Sequence, residues 1–504
     1  MATSRPVPVH PLLLAAYAVL FLYASNLSEA DIGQVLPVLV LVLGIVGALL
    51  IAGSLVLRDA LRAAVLLSAA VALFFGYRHV AILTDGLPIE GRPVQLVWLG
   101  LGLGALVLAW RGGRPLRIAT RALNALGLAL VIVALVAIVP HELDQVARTS
   151  SEPAPVPSGG PPEDAERRDI WFLVFDRYGS AESLRLNYGI EDELTPWLAA
   201  KGFHVTPDAR ANYARTRLSL ASILNLDYLD ALRGRPVAEL LQDHAAGRFL
   251  TGLGYRYIHI GSEYQPTRTS PLATINRSLY NTSDFAAAMF DSSLASEIIE
   301  RLGPLEPRRQ RQVEWGRFAF QALDEARDEP GPKFVFAHLL LPHPPYVFDA
   351  DGQVLSDEEA ARRPTAELYK GQLDYLNSRI KAAVEPLLAL PEDERPIIVL
   401  TADEGPYPKR YEGDPLTKGP DPDFDWSTGT VEELRIKFGI LHAMYLPEVP
   451  PDEIPPSITS VNTFRFLFSK YLGADLPLLE TRTLVPMGDQ QELVDVTERL
   501  GPEE

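Results

Sequence analysis

Up to Pro140 the chain is almost wholly apolar, and this constrains its fold more than any other feature. Five runs stand out: Pro11–Leu27, Val35–Leu57, Leu61–Leu83, Val94–Trp110 and Ile118–Val139. Each comes close to the ~20 residues that an α-helix needs to cross a hydrocarbon core of ~30 Å. Backbone groups in that core must be hydrogen-bonded internally, so the expectation is a helical transmembrane region of about five spans over residues 1–140. The second and fifth runs are nearly free of charge. The first is the weakest and has an alternative as the apolar core of a signal peptide, whose loss would leave four spans and the same final orientation.

Arginine placement gives a direction. Arg5 precedes the first run, Arg58 and Arg62 separate the second and third, and Arg111, Arg114, Arg117 and Arg121 surround the turn from fourth to fifth. The opposite loops hold Glu29, Asp31, Arg78, Asp85, Glu90 and Arg92, with no positive excess. Short arginine-rich loops stay cytoplasmic. The N-terminus is then inside, and everything after Pro140 is expected to be extracytoplasmic on a multi-pass cell-membrane protein. No span carries an unpaired acid or lysine near its centre, which favours an anchor over a transporter.

The same boundary divides the charge. Residues 1–140 carry nine arginines and five acids, a balance of +4; with −18 for the whole chain, −22 falls on the remainder. So acidic a domain does not suit nucleic acid, whose binders present a basic face. The chain has no cysteine, which excludes disulfides, thiolate metal sites and cysteine nucleophiles.

Beyond the spans, residues 141–168 include "TSSEPAPVPSGGPPEDAERR" and read as an extended Pro/Ser/Gly-rich linker to one domain over 169–504. Short apolar runs recur there: Ile170–Phe175, Tyr255–Ile260, Lys333–Leu340, Pro396–Ala402 and Phe438–Leu446. They read as buried strands, and helical patterns at Thr365–Leu390 and Asn462–Tyr471 lie among them. Alternation of this kind predicts an α/β domain with a mostly parallel sheet. Tyr264–Asp284 and Gly405–Thr430 have no clear period and read as long loops of the kind that form lids or binding loops.

In such sheets, ligands bind beyond the carboxyl ends of the strands. "IWFLVFD" ends in Asp176 and "PIIVLTADEG" in Asp403 and Glu404. Three carboxylates from two strand ends suit a hard divalent cation; the competing reading is that such acids cap the following helices. Thr216 opens the helical pattern "TRLSLASIL" and is either a cap or a hydroxyl that a neighbouring metal would activate. In "AHLLLPHPPYVFD", His343 is a candidate to stabilise a phosphoryl oxygen or protonate a leaving group, with Tyr346 close behind, whereas His338 reads as a core histidine.

In this order, strand–Asp, Thr at a helix start, strand–"PHPPY" and strand–"ADEG" resemble the alkaline phosphatase–sulfatase superfamily. Within it the chain looks most like the membrane-anchored sulfatase-like phosphotransferases, such as lipoteichoic acid synthase and the phosphoethanolamine transferases. The resemblance covers roughly residues 169–446. It implies Asp176, Thr216, Asp403 and Glu404 as metal ligands, Thr216 also as nucleophile, and His343 on the phosphoryl group. It further implies Arg177, Asn212, Tyr346 and Lys409 as residues lining the substrate. The family usually has Asp-His where this chain has Asp403-Glu404, which implies one divalent ion, Mg²⁺, Mn²⁺ or Ca²⁺ rather than Zn²⁺. The function implied is transfer or hydrolysis of a phosphodiester of membrane lipid headgroups or cell-surface polymers through Thr216. The alternatives are a catalytically degenerate protein that keeps the fold for binding or assembly and, less favoured, a sulfatase. Formylglycine arises from Cys or Ser, and Thr216 is neither.

Overall fold

The computed structural model describes residues 6–27, 32–84, 92–148, 156–160, 167–232, 237–279, 284–302, 307–409, 425–487 and 492–501. Arg5 and the loop acids Glu29, Asp31, Asp85 and Glu90, used above for orientation, lie outside these residues, as do much of the linker and positions 410–424 of the second long loop. The chain divides into two compact units: residues 1–147 with 282–307, and residues 148–281 with 308–504.

In the first unit, apolar sequence gives five helices: α1 His10–Ala24, α2 Ile32–Leu57, α3 Ala60–Thr84, α4 Arg92–Arg111 and α5 Gly113–Arg148. Among the described residues, three stretches are long and apolar enough to cross a membrane: Ile32–Leu57, Ala60–Tyr77 and Gly113–Leu143. The apolar helices His10–Ala24 and Leu96–Arg111 are shorter. α5 does not stop at Pro140. It continues through "HELDQVAR", a run of good helix formers, so the extended linker starts later than its composition suggested. The short helices Asp284–Asp291 and Leu294–Leu302, expected within the soluble domain, belong to this first unit, where Phe285 and Met289 are buried against Val19, Tyr23 and Val35.

The second unit is built on a seven-stranded sheet. Its strands are β1 Ile170–Phe175, β2 His204–Val205, β3 Arg256–Ile260, β4 Ile275–Arg277, β5 Lys333–Leu339, β6 Ile397–Ala402 and β7 His442–Tyr445, in the order β2-β7-β6-β1-β5-β3-β4. β1 runs parallel to both neighbours, β5 and β6, while β7 pairs antiparallel with β6 and with β2. Strands covered on both faces need apolar residues at every position, and β1, β5 and β6 are buried throughout. A hairpin β8 Leu484–Met487 and β9 Glu492–Asp495 lies apart from the sheet. The run Phe438–Leu446 is only partly strand: "VEELRIKF" forms the helix Val431–Phe438, opened by a capping box at Thr430 and Glu433, and the chain becomes extended after Gly439.

One sheet face, lined by Phe172, Val174, Phe334, Phe336 and Val399, packs against Leu220, Ile223 and Leu224 of the helix Thr216–Asn225 and against Phe464 and Phe468 of the helix Asn462–Tyr471. Phe172 lies 5.9 Å from Phe336 and 4.8 Å from Phe464 between ring centres. This packing fixes the height of Thr216 above the sheet.

His442 on β7 is buried, with Nδ1 3.0 Å from Thr401 Oγ1. Burial, reinforced by His204, lowers its pKa from 6.5 to about 4. The unfolded chain takes up a proton there near pH 6.5 that the folded chain refuses until about pH 4. The effect is absent above that window and destabilises by about 1.4 kcal/mol per pH unit as the pH falls through it. His442→Asn, which keeps a polar atom toward Thr401, is expected to flatten the fall in Tm between about pH 7 and about pH 4.5. Parallel curves for variant and wild type in detergent would show that His442 is not buried neutral.

Candidate metal centre

Strand register builds the site. Val174 of β1 is level with His338 of β5 and Thr401 of β6, and Phe175 is level with Leu339 and Ala402. One step further stand Asp176 and Asp403 at the carboxyl ends of adjacent strands. Side chains two residues apart share a face, as do level partners. Asp176, His338 and Asp403 therefore point to the face that the helix Thr216–Asn225 covers. Their ligand atoms lie within 4.8 Å of one another, and all three residues are buried.

Thr216 is the first residue of its helix and is half-buried. It does not cap that helix; Arg215 holds the capping position, with no side-chain cap bond. The Thr216 hydroxyl instead lies close enough to the Asp403 carboxylate to favour its ionised form. Asp403 Oδ1 also accepts from the backbone N–H of Arg177 at 3.2 Å.

Asp176 Oδ1, His338 Nε2, Asp403 Oδ2 and Glu404 Oε2 are among the buried polar atoms left without a hydrogen-bond partner. Burial pushes both aspartates above the ordinary carboxylate range, and Asp403 adds to the effect on Asp176. Burial lowers His338 to about 3, so its imidazole is neutral. Orphaned buried acceptors and crowded carboxylates cost free energy unless a cation joins them. The donor set of two carboxylates and a neutral imidazole fits a divalent ion. Thr216 is the neighbouring hydroxyl.

Arg177 and Glu404, just past the ends of β1 and β6, form a second group beside the first, with Arg177 Nε 3.9 Å from Asp176 Oδ1. Arg177 has φ +63°, an uncommon left-handed backbone for a side chain of this size. Its Nε lies 3.2 Å from Glu404 Oε1, and Tyr369 OH donates to its carbonyl at 2.9 Å. Lys437, wholly buried, places Nζ 2.8 Å from the same Glu404 oxygen. Burial outweighs that attraction and lowers Lys437 to about 8. Both cations pack on the Tyr407 ring, Arg177 at 4.2 Å and Lys437 at 3.8 Å from its centre. Gly405 permits this: its N–H donates to Lys437 O at 2.8 Å, and a Cβ there would strike the carbonyls of Ile436, Lys437 and Gly439.

Of the residues singled out from the sequence, Asp176, Thr216 and Asp403 come together. Glu404 lies beside them, but its Oε1 is engaged by Lys437 and Arg177. His338, read as a core histidine, is one of the three clustered ligands. His343 is held by its own turn, with Nδ1 against Pro344 O and its carbonyl accepting from Gln372 Nε2 at 3.0 Å. Burial and then Arg177 and Arg308 lower its pKa well below the usual value. Tyr346 is buried, with its ring 6.1 Å from that of Tyr369. Asn212 serves the scaffold: its Oδ1 accepts from Val461 N, and its Nδ2 donates to Arg482 O and to Tyr228 OH. Lys409 is exposed at the edge of the described loop. Lys437 was not anticipated; its only signal was a lysine on the apolar stripe of "VEELRIKF".

No family model matches this sequence, and no curated protein matches it. Among solved structures the chain is similar to the C-terminal periplasmic domain of EptC from Escherichia coli, at 15% identity over 69% of this chain and 97% of that one, with TM-score 0.43. It is also similar to the integral membrane protein lipooligosaccharide phosphoethanolamine transferase A from Neisseria meningitidis, at 13% identity over 92% and 94% of the two chains, with TM-score 0.44. A phosphonate monoester hydrolase from Silicibacter pomeroyi is similar at 14% identity over 62% and 74%, with TM-score 0.38.

Removing one partner of a buried ion pair costs on the order of 3–5 kcal/mol, because the other charge stays buried. Lys437→Met is therefore expected to lower Tm clearly, and Glu404→Gln added to it to restore most of the loss. A single variant as stable as wild type would show that the pair does not hold this wall of the site.

Proposed function

We propose that the chain is a metal-dependent phosphotransferase or phosphodiesterase that uses Thr216 as its nucleophile and acts on membrane lipid headgroups or cell-surface polymers from the extracytoplasmic side. The observation that carries this reading is the cluster of orphaned ligand atoms on Asp176, His338 and Asp403, with the half-buried Thr216 hydroxyl beside Asp403 at a helix N-terminus. Asp176, His338 and Asp403 would hold one divalent cation, with Glu404 Oε2 at hand. With an imidazole in the set, the preference for hard ions over Zn²⁺ loses its basis. A bound cation supplies charge for the phosphoryl oxygens and favours ionisation of the neighbouring hydroxyl.

The chain's own groups account for the protons. Thr216 Oγ bonds to phosphorus as the donor's P–O bond breaks; Asp403 takes the hydroxyl proton, and the departing alcohol is protonated by water. In the second step an acceptor hydroxyl or water bonds to phosphorus and the Thr216 P–O bond breaks, with the proton on Asp403 returning to Thr216. His343, held neutral by burial and by Arg177 and Arg308 and with its Nδ1–H committed to Pro344 O, presents a proton-free Nε2 that can accept a hydrogen bond from the incoming hydroxyl, whose proton passes on to water. The membrane-spanning helices keep the domain on the same surface as lipid donors.

Incubation of the full-length protein with a head-group-labelled phospholipid, followed by acid quench and mass spectrometry, is expected to place the label on Thr216. Thr216→Ala is expected to lose both the adduct and roughly 10³-fold or more of the turnover. Turnover retained in Thr216→Ala, or a label on another residue, would sink this mechanism.

A further inference from the structure

β3 lies beside β5, and its buried side chains form a polar path that leads to His338. The backbone N–H of Gly247 donates to His244 Nδ1 at 2.9 Å. His244 Nε2 is 3.2 Å from Tyr257 OH, and Tyr257 OH is 3.0 Å from His259 Nδ1. His259 Nε2 is 2.8 Å from the Thr267 carbonyl, and Thr267 Oγ1 is 2.9 Å from His338 Nδ1. All five side chains are buried.

Hydrogen-bond chemistry sets one direction along this path. Burial lowers His244 to about 3 and His259 to about 4, so each ring carries a single proton. A carbonyl only accepts, so the proton of His259 is on Nε2, and its Nδ1 accepts from Tyr257 OH. His244 Nδ1 accepts from Gly247, so its proton is on Nε2 and is donated to Tyr257. Each donor thus points toward Thr267. The Thr267 hydroxyl has Ser262 Oγ at 2.9 Å and the Tyr264 carbonyl at 3.3 Å as acceptors of its own proton; donation to either leaves an Oγ1 lone pair for His338. Gly261 allows the turn to close, because a Cβ there would strike the Arg268 backbone.

We propose that the His244–Tyr257–His259 path fixes Thr267, and that Thr267 accepts the Nδ1 proton of His338, so that His338 Nε2 faces Asp176 and Asp403 with its lone pair ready for a cation. Thr267 and the three residues behind it are positioning residues, acting through His338. A metal-ligating histidine whose other ring nitrogen is held by an acceptor is a better ligand, and loss of that acceptor typically weakens metal binding 10- to 100-fold. This inference rests on the metal site proposed above.

The test is titration of the chelator-stripped full-length protein in detergent with Mn²⁺ or Zn²⁺, with Kd and Tm measured for each variant. Thr267→Val, which keeps the shape and removes the hydroxyl, is expected to weaken binding at least tenfold, and Thr267→Ser to restore it to within about threefold of wild type. Tyr257→Phe keeps the ring, breaks the path two residues from His338 and is expected to weaken binding about threefold or more; it decides the matter if Thr267→Val does not fold. Asp403→Ala separates the two readings. If wild type binds no cation, or Asp403→Ala binds as tightly, the metal site itself fails. If Asp403→Ala abolishes binding while Thr267→Val and Tyr257→Phe stay within twofold of wild type, with only Tm lowered, the path is structural and this inference is overturned.

Discussion

Two carboxylates forced side by side govern this structure. β1 can lie between β5 and β6 only because its residues are apolar throughout, and the shared register brings Asp176 and Asp403 to adjacent strand ends at one height. Neither finds enough hydrogen bonds for its oxygens, and burial resists ionisation of both. Around this pair the molecule gathers a neutral imidazole from β5, a hydroxyl from a helix packed on the same face, and two cations, Arg177 and Lys437, that share Glu404. The arrangement has the chemistry of a cation site with a hydroxyl at its edge.

The groups at the strand ends have different work. His338 and Thr216 meet Asp176 and Asp403 beneath the helix. Beside them, Lys437 and Arg177 share Glu404 and the Tyr407 ring. Three carboxylates in one buried site would repel one another strongly; the two cations offset most of that charge without occupying the metal position. The glycine of "ADEG" belongs to this second device, since it alone lets the Lys437 backbone close on the strand end.

Much of the fold was legible because buried parallel strands leave a plain signal. Ile170–Phe175 was read to the residue, and the runs at β3, β5 and β6 to within one or two. The helix starting at Thr216 was also legible. What failed, failed for definable reasons. "FGILHAMYL" is apolar enough for a strand along its whole length, but its first residue closes a helix whose capping box, Thr430 and Glu433, lies outside the apolar run. Pro140 looked like a terminus, yet the helix tolerates it. Glu404 follows Asp403 just past the end of β6, and there Lys437 and Arg177 take its Oε1 while Oε2 stays without a partner. His338 was missed because a histidine inside an apolar strand looks like core, and only the register with Val174 reveals which carboxylates it faces. Asn212, which the resemblance implies at the substrate, has its amide engaged by Val461 N, Arg482 O and Tyr228 OH.

The most direct test of the account is cation-linked stability. A ligand that binds only the folded state at 100-fold above its Kd stabilises by about 2.7 kcal/mol. The full-length protein, stripped with chelator and then given Mn²⁺ or Zn²⁺, is expected to gain several degrees in Tm. Asp176→Asn and Asp403→Asn, which relieve the carboxylate crowding, are expected to melt higher than stripped wild type and to gain little or nothing from the ion. An unchanged wild-type Tm with and without cation, or the same gain in both variants, would contradict a metal centre built on these two strand ends.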